Sequence, residues 1–408
     1  MINKIYFKNY KSFKDKQELE LKPITILIGK NSSGKSAVAK LPTLIEGSLS
    51  GNFEDPLLTT NNEVELGAEF RDLVHGREIG SLEFILESIG NKLSVEVASG
   101  IKETDLPRIR KWVLNKEFDF KYDDLKKSYY NDVNEGNFNC AFSGFKLDLL
   151  FDKSKDGVSE DIVNLGEKGI TLKTNYIGPF RETPNRTYSS IGNSKTQKIG
   201  NKGEHAYQIL ISDYLYNDSK LLNKVSEWYR NNFDGWSIEI NTQSKPDYKV
   251  ELSRTKPQFN VNIRDVGQGM SQALPLVVSA FLNQKEEVLT IIEQPELHLH
   301  PAAHGDLAEL FAESTINSKS KFLIETHSQN FVLRLRRMVA EGRFNKNNVA
   351  IYSVEYDSEE NTSSIKRINV TELGEVTYWP ENIFSETLDE TIAIRTAQIK
   401  KGKNGNWN

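Results

Sequence analysis

The most specific chemistry in the sequence lies in the run Gly29-Lys30-Asn31-Ser32-Ser33-Gly34-Lys35-Ser36, which has the spacing G-x-x-x-x-G-K-S of a phosphate-binding loop. Its glycines let the backbone wrap closely enough for successive N–H groups and a helix N-terminus to meet phosphate oxygens. In such a loop Lys35 neutralises the β- and γ-phosphates of a nucleotide and Ser36 holds Mg²⁺. The apolar run PITILI precedes the loop and a helical stretch follows from about Lys35, the context the motif requires. Pro42 is expected to kink or end that helix early.

Three further groups point the same way. A phosphate loop needs an acid at the tip of a second buried strand, and V-L-T-I-I-E ends on Glu293, followed by Gln294-Pro295-Glu296. Glu293 is placed to bind Mg²⁺ directly or through water. About 30 residues later K-F-L-I-E-T ends on His327, where a γ-phosphate sensor is expected. Before the acidic strand, Gly267-Gln268-Gly269-Met270-Ser271-Gln272 feeds the apolar stretch A-L-P-L-V-V-S-A-F-L, and a Gly-rich loop opening a helix is a second anion site. His298, His300 and His304 lack the helical pair with a flanking acid that a zinc protease uses; they are read as shaping a loop. Arg181 in G-P-F-R is either a phosphate or partner contact or an ion-paired structural residue. The stretch after His327 puts Phe331, Leu335, Met338 and Val339 on one stripe. Arg334 and Arg337 lie elsewhere, on what reads as a solvated face, with DNA contact as the sharper alternative.

The elements that must position these groups are an opening strand, turn and strand, then the loop and its helix. Residues 62–71 and 81–98 alternate as strands do. From about 100 to 170 the pattern loosens into a charged, aromatic stretch with weak helical spacing, read as an inserted lobe. A helix is expected from about His205 to Arg230. After Arg264 strands and helices alternate, which indicates a mostly parallel sheet covered by helices. The boundaries that follow are 1–99, an inserted lobe at 100–173, 174–399, and a frayed tail at 400–408.

Composition narrows the class. The 408 residues are 38% hydrophobic and 27% charged, which excludes collagen-like, mucin-like and wholly disordered chains. The longest apolar run, Leu274 to Leu282, falls far short of the ~18 residues a membrane span needs. The opening MINKIYFKNYKSF has no apolar core of the signal-peptide kind, and the single Cys140 cannot form an internal disulfide. A cytoplasmic protein without membrane contact is expected. Lys plus Arg total 52 against 57 Asp plus Glu, a net charge of −5, so any DNA contact must come from a local patch.

Taken together, these elements resemble the ATP-binding-cassette ATPase heads. They are more narrowly similar to the soluble branch shared by structural-maintenance-of-chromosomes (SMC) heads and the OLD-type (overcoming lysogenization defect) ATPases. The sequences I-x-x-P-E-L-H-L-H-P, G-x-G-M-S-Q, E-T-H-S, the opening N-Y-K-S-F and the mid-chain Y-I-G-P-F-R carry the resemblance over residues 1–75 and about 174–395. It implies an α/β P-loop fold of the ABC-head type: a mostly parallel core sheet, an N-terminal antiparallel β lobe and an inserted helical or mixed lobe. It makes Gly29 to Ser36 the Walker A loop, Glu293 the Walker B acid, Gly267 to Gln272 the signature loop and His327 the switch histidine. It implies ATP and Mg²⁺ as cofactors and a head-to-tail homodimer, or higher oligomer, closed around ATP.

Three departures qualify it. The position usually held by the catalytic Glu is Gln294, so either Glu296 activates water or hydrolysis is slow and ATP mainly holds the dimer closed. No Mg²⁺-binding glutamine occurs between residues 60 and 100, and Pro42 interrupts the helix after the loop. About 80 residues follow His327, roughly enough to finish an ATPase core, and they lack the spaced acidic motifs of a TOPRIM nuclease. The expected function is therefore a slow ATPase that dimerises around ATP and regulates a separately encoded nuclease or toxin, in the manner of anti-phage systems. The alternative is a DNA-repair or recombination clamp that binds DNA directly; the acidic balance and missing heptads count against it.

Overall fold

The computed structural model of the chain describes residues 1–99, 106–131, 136–152, 158–159, 164–190, 192, 198–282, 287–316, 318–381 and 383–403. The N-terminal part forms β1 (Lys4–Lys8), β2 (Gln17–Glu20), β3 (Ile24–Gly29), α1 (Lys35–Ser50), β4 (Thr60–Asn61) and β5 (Val64–Glu65). A meander follows through β6 (Ser81–Ser88), β7 (Asn91–Ala98), β8 (Arg108–Leu114), β9 (Phe118–Asp123), β10 (Ser128–Asn131), β11 (Gly136–Ser143), β12 (Lys146–Asp152) and β13 (Val158–Ser159). Then come β14 (Thr174–Ile177), β15 (Tyr188–Ser189), α2 (Ala206–Tyr216), α3 (Lys220–Asn232), β16 (Ser237–Asn241), β17 (Asp247–Thr255), β18 (Gln258–Asn262) and α4 (Gln268–Phe281). The chain closes with β19 (Val288–Glu293), α5 (Pro301–Ile316), β20 (Ser320–Glu325), α6 (Gln329–Ala340), β21 (Val349–Asp357), β22 (Thr362–Ile368) and α7 (Glu386–Lys403).

The functional frame is a sheet ordered β14-β19-β20-β3-β21-β22. Its first five strands run parallel, and only β22 is antiparallel, against β21. Every residue of β3 and of β19 is buried, as continuous apolar strands covered on both faces should be. Alternation assigns the two faces. Ile24, Ile26, Ile28, Phe322 and Ile324 enter a core shared with α4, α5 and α6. Leu27, Leu289, Ile291 and Leu323 enter a core shared with α1 and the antiparallel sheet. Because the strands are parallel, Gly29, Glu293 and Glu325 emerge at the same end, with Glu293 in register with Glu325 and Glu325 with Leu27. Open parallel sheets place ligands at that end.

Pro42 does not end α1, which runs on to Ser50. Leu41, Pro42, Leu44 and Ile45 are all buried there, and that packing outweighs the roughly 3 kcal/mol an internal proline costs. The stretch expected as one helix over 205–230 is two. Asp218 and Ser219 take φ +55° and +58°, and the Asp213 carboxylate accepts from Leu221 N and Leu222 N at 2.8 and 2.9 Å to cap α3. Of the strands expected at 62–71 only β5 forms there, followed by a single 3₁₀ turn at Phe70–Leu73; 81–98 is the hairpin β6–β7.

Within this fold the insertion differs from its helical or mixed expectation: the regular elements among its described residues are all strands, β8 to β13. They extend the antiparallel lobe into a ten-stranded sheet, β13-β12-β11-β10-β9-β8-β7-β6-β1-β2. Trp112, Phe120 and Phe145 are fully buried there, and Trp112 Nε1 donates to Phe145 O at 2.9 Å. The period-two alternation of FDFKYD was masked by its charges. Residues 400–403, expected to fray, are helical, and 404–408 lie outside the described residues.

Candidate nucleotide site

The loop after β3 is shaped by its glycines. Gly29 has φ +155°, and a Cβ there would meet the Val354 carbonyl and lie 2.9 Å from Ser33 Oγ. Gly34 has φ +100°, and its Cβ would sit 2.6 Å from Ser12 Oγ and 3.1 Å from the Phe13 ring. Only glycine fits either position. The N-Y-K-S-F segment thus packs against the phosphate loop, with Lys11 and Ser12 on the cleft wall and Phe13 against Gly34. Lys35, 4% exposed, donates from Nζ to Gly29 O at 3.0 Å and Lys30 O at 2.7 Å. Burial lowers its pKa, opposed by the charges of Glu325 and Glu296.

A cleft of about 760 Å³ brings together Asn31, Ser32, Gly34, Lys35 and Ser36 with Gln294, Glu325 and His327. Its far wall comes from residues 65–77, among them Glu65, Asp72 and Arg77. That segment contains no glutamine. Gln294 takes φ +48°; its N–H donates to Glu325 O at 2.8 Å, and its carbonyl accepts from Arg181 Nη2 at 2.8 Å. His327 stands exposed at the cleft rim, where partial desolvation and the Lys35 charge lower its pKa.

Glu293 does not line the cleft. It is buried behind it, accepting from Tyr176 Oη at 2.8 Å, and burial raises its pKa. The carboxylate that reaches the loop is Glu325: Ser36 Oγ donates to Glu325 Oε2 at 2.8 Å. Burial, then the neighbouring Glu293 charge, pushes Glu325 up to about 7. Sequence reasoning missed this residue. Its only signal was its place at the end of KFLIE, immediately before Thr326 and His327. Glu296 does not hang free: Oε2 accepts from Thr326 Oγ1 at 2.8 Å and Oε1 from His327 N at 2.6 Å.

Residues 267–272 are not part of the cleft. Gly267 caps α4, and Gly267 and Gln268 are exposed. A Cβ on Gly269 would approach His298 O at 2.9 Å. Met270 is partly buried, its carbonyl accepting from Tyr229 Oη at 2.6 Å. Ser271 is 4% exposed with Oγ donating to Gln268 O at 3.2 Å, and Gln272 Nε2 donates to Arg181 O at 3.3 Å. Within one chain Ser271 and Gln272 therefore face inward. Arg181 is 7% exposed and touches the backbone at Glu293 and Gln294, leaving Nε and Nη1 without partners; burial lowers it to about 10. His304 is engaged by Ser328 Oγ at 2.8 Å and Leu299 O at 3.1 Å, so it shapes its loop. On α6 the apolar stripe is buried as read, Arg334 pairs with Asp306 and Glu309, and Arg337 pairs with Glu341.

The residues suit a magnesium-bound nucleotide. Ser33, 2% exposed, has a hydroxyl without a partner inside the loop, and Ser12 Oγ beside Gly34 has none either. Among the described residues no group of three His, Cys, Asp or Glu side chains could hold a metal alone.

The family model of the AAA ATPase domain (AAA_15) matches residues 1–332, and the chain belongs to that family. Its architecture is that of a P-loop α/β ATPase domain with a mostly parallel core sheet. Among solved structures it is similar to the SMC head domain from Thermotoga maritima, at 12% identity over 90% of this chain and 99% of that one, TM-score 0.43. It is also similar to an SmcHead bound to the C-winged helix domain of ScpA, at 14% identity over 90% and 98%, TM-score 0.49. A third is an Smc head domain with an extended coiled coil, bound to the C-terminal domain of ScpA derived from Pyrococcus furiosus, at 13% identity over 97% and 99%, TM-score 0.47. No curated protein matches the chain. Among the described residues no helix is long and apolar enough to cross a membrane.

Proposed function

We propose that the chain binds ATP with Mg²⁺ at residues 29–36, hydrolyses it slowly, and pairs head to tail with a second copy around the nucleotide. In this reading the closed pair controls a separately encoded effector, a nuclease or toxin of the anti-phage kind, in the cytoplasm. The observation that carries it is the single cleft in which the loop meets Gln294 and His327.

Each residue then has a task. Lys35 leaves the carbonyls of Gly29 and Lys30 for the phosphates. Ser36 is the loop residue assigned to magnesium, which when bound would neutralise phosphate charge; Glu293, buried behind the cleft against Tyr176, would act on the ion only from a distance. Gln294 orients a water by hydrogen bonding but cannot take its proton. Glu296 is already held by Thr326 and His327, which favours the slow reading over Glu296 as a free base. The partner-facing part of the signature loop is assigned to Gly267 and Gln268, because Ser271 and Gln272 point into their own chain.

The test is Lys35→Ala with ATP affinity measured by calorimetry. Loss of one charge-assisted contact should weaken binding at least about tenfold in a folded variant. Unchanged affinity rejects the nucleotide site.

A further inference from the structure

In parallel-sheet ATPases attention falls on the acid two strands from the phosphate loop, here Glu293 on β19. The structure puts a second buried carboxylate closer. β20 lies between β3 and β19, so Glu325 at its tip is the register partner of both Leu27 and Glu293. Glu325 is 3% exposed yet lines the cleft, whereas Glu293 is turned toward Tyr176.

The distance between Ser36 Oγ and Glu325 Oε2 is 2.8 Å. Magnesium binds oxygen at about 2.0–2.1 Å in near-octahedral geometry, which sets neighbouring ligand oxygens about 2.9 Å apart. The two oxygens therefore already stand at the spacing of adjacent positions in such a shell. The hydroxyl proton now bridges them; with a cation bound to both oxygens, Ser36 would stay a neutral hydroxyl whose O–H turns away from Glu325 to another acceptor. Lys35 is occupied by the carbonyls of Gly29 and Lys30, so it does not neutralise the Glu293–Glu325 pair by contact. The partnerless Ser33 hydroxyl within the same loop independently points to a missing anionic ligand, the phosphate that completes such a shell.

We propose that Glu325 is a magnesium-holding residue of this site, adjacent to Ser36 in the ion's coordination shell, and that Glu293 acts from behind it. This rests on the nucleotide reading above and deepens it. Residues 60–100 contain no glutamine, and Glu325 supplies a carboxylate oxygen directly beside Ser36.

The experiment is a Mg²⁺ titration of fluorescent ATP-analogue binding by the full chain, read as affinity and not as turnover. Glu325→Gln keeps the shape and the Ser36 contact, and it should raise the Mg²⁺ concentration for half-maximal enhancement at least about tenfold. Its affinity in EDTA should not fall, because a negative charge near the phosphates is removed. Glu293→Gln should shift the midpoint less than Glu325→Gln does. Glu325→Asp, which keeps the charge but shortens its reach, should fall between parent and Glu325→Gln. Should Glu325→Gln fail to fold, Glu325→Asp decides alone: a parental midpoint overturns the proposal. Glu325→Gln titrating like the parent overturns it too. So does tighter binding at saturating Mg²⁺, which would make Glu325 a latch on Ser36 instead. A parent that binds no nucleotide at all overturns the nucleotide reading and this inference with it; a parent that binds with unaltered variants overturns this inference alone.

Discussion

Gln294→Glu tests the chemistry of the cleft most directly, because the structure fixes everything about position 294 except the side-chain terminus. Its N–H is bonded to Glu325 O and its carbonyl is held by Arg181, each at 2.8 Å. The left-handed φ of +48° is thereby imposed by neighbours and survives a change of amide to carboxylate. The new carboxylate would face the cleft beside Lys35 and His327, with buried Glu325 close by. Those surroundings oppose each other: Lys35 favours the charged form, and Glu325 disfavours it. A positioned general base contributes about 10²–10⁴-fold, which is about 2.7–5.5 kcal/mol of barrier. Repulsion from Glu325 consumes part of that, so a rise of about 10²-fold in single-turnover phosphate release is expected. Sedimentation should show the ATP-closed pair dissociating sooner. Glu296→Gln is the control. An amide oxygen still accepts one of the two hydrogen bonds, so residual turnover should fall less than about tenfold, the scale of one weakened contact. If the parent already turns over near ~10 s⁻¹ and Gln294→Glu changes nothing, residue 294 is not beside the attacking water. Complete loss in Glu296→Gln alone would make Glu296 the base.

Gly34→Ala forces a side chain to φ +100° against Ser12 and the Phe13 ring; we expect about 1–3 kcal/mol of lost stability in urea and no measurable ATP binding. Gln268→Arg adds charge and bulk to an exposed first turn of α4, so ATP binding by the single chain should persist while ATP-dependent association, read by sedimentation, is lost. Ser271→Arg is the wrong probe of that face, since a 4% exposed serine so replaced overpacks the core first. For Glu309, burial pushes the pKa up, but hydrogen bonds from Arg343 and Arg334 prevail and hold it below the ordinary value. A lowered folded pKa means stability that is present above the unfolded pKa of about 4.3 and is lost as pH falls through the folded value. The stability difference between parent and Glu309→Gln should therefore shrink on acidification from neutral pH, and a difference that stays constant refutes the pairing.

Much of the site was legible because its signals are local. The loop at 29–36 announces its turn by glycine spacing, β3 and β19 by unbroken apolar runs, and α6 by a stripe at helical period. Glu325 was not legible, because its meaning depends on strand order. Nothing in KFLIET says that β20 is threaded between β3 and β19, and Ser36 is 289 positions away along the chain. The inward turn of Ser271 was hidden for a similar reason, since Tyr207, Tyr229 and Arg181, which enclose that turn, come from distant segments. In β9 the run FDFKYD alternates aromatic and charged residues, and its charges hide a strand period that the unbroken apolar runs of β3 and β19 display. At Pro42 local propensity opposes a helix, and the core that α1 buries, assembled from distant segments, overrides it.

Arg181 shows how the parts of the cleft are made to depend on one another. A guanidinium bonded only to carbonyls, with two nitrogens left without partners in a buried site, is a poor stabilising device. Its contacts with Glu293 O and Gln294 O are worth about 1.5–3 kcal/mol each, while each unsatisfied buried group costs about 1–3 kcal/mol, so the balance is near zero. Its value is positional. The side chain fixes the turn that presents Gln294, and the carbonyl of the same residue accepts from Gln272 on α4. On the other side of that turn, Glu296 grips the backbone of His327. Gln294, the histidine at the rim and the helix capped by Gly267 are therefore tied through two residues, Arg181 by its side chain and carbonyl and Glu296 by its carboxylate. Neither of those side chains lines the cleft, so both act on its chemistry by placing residues that do.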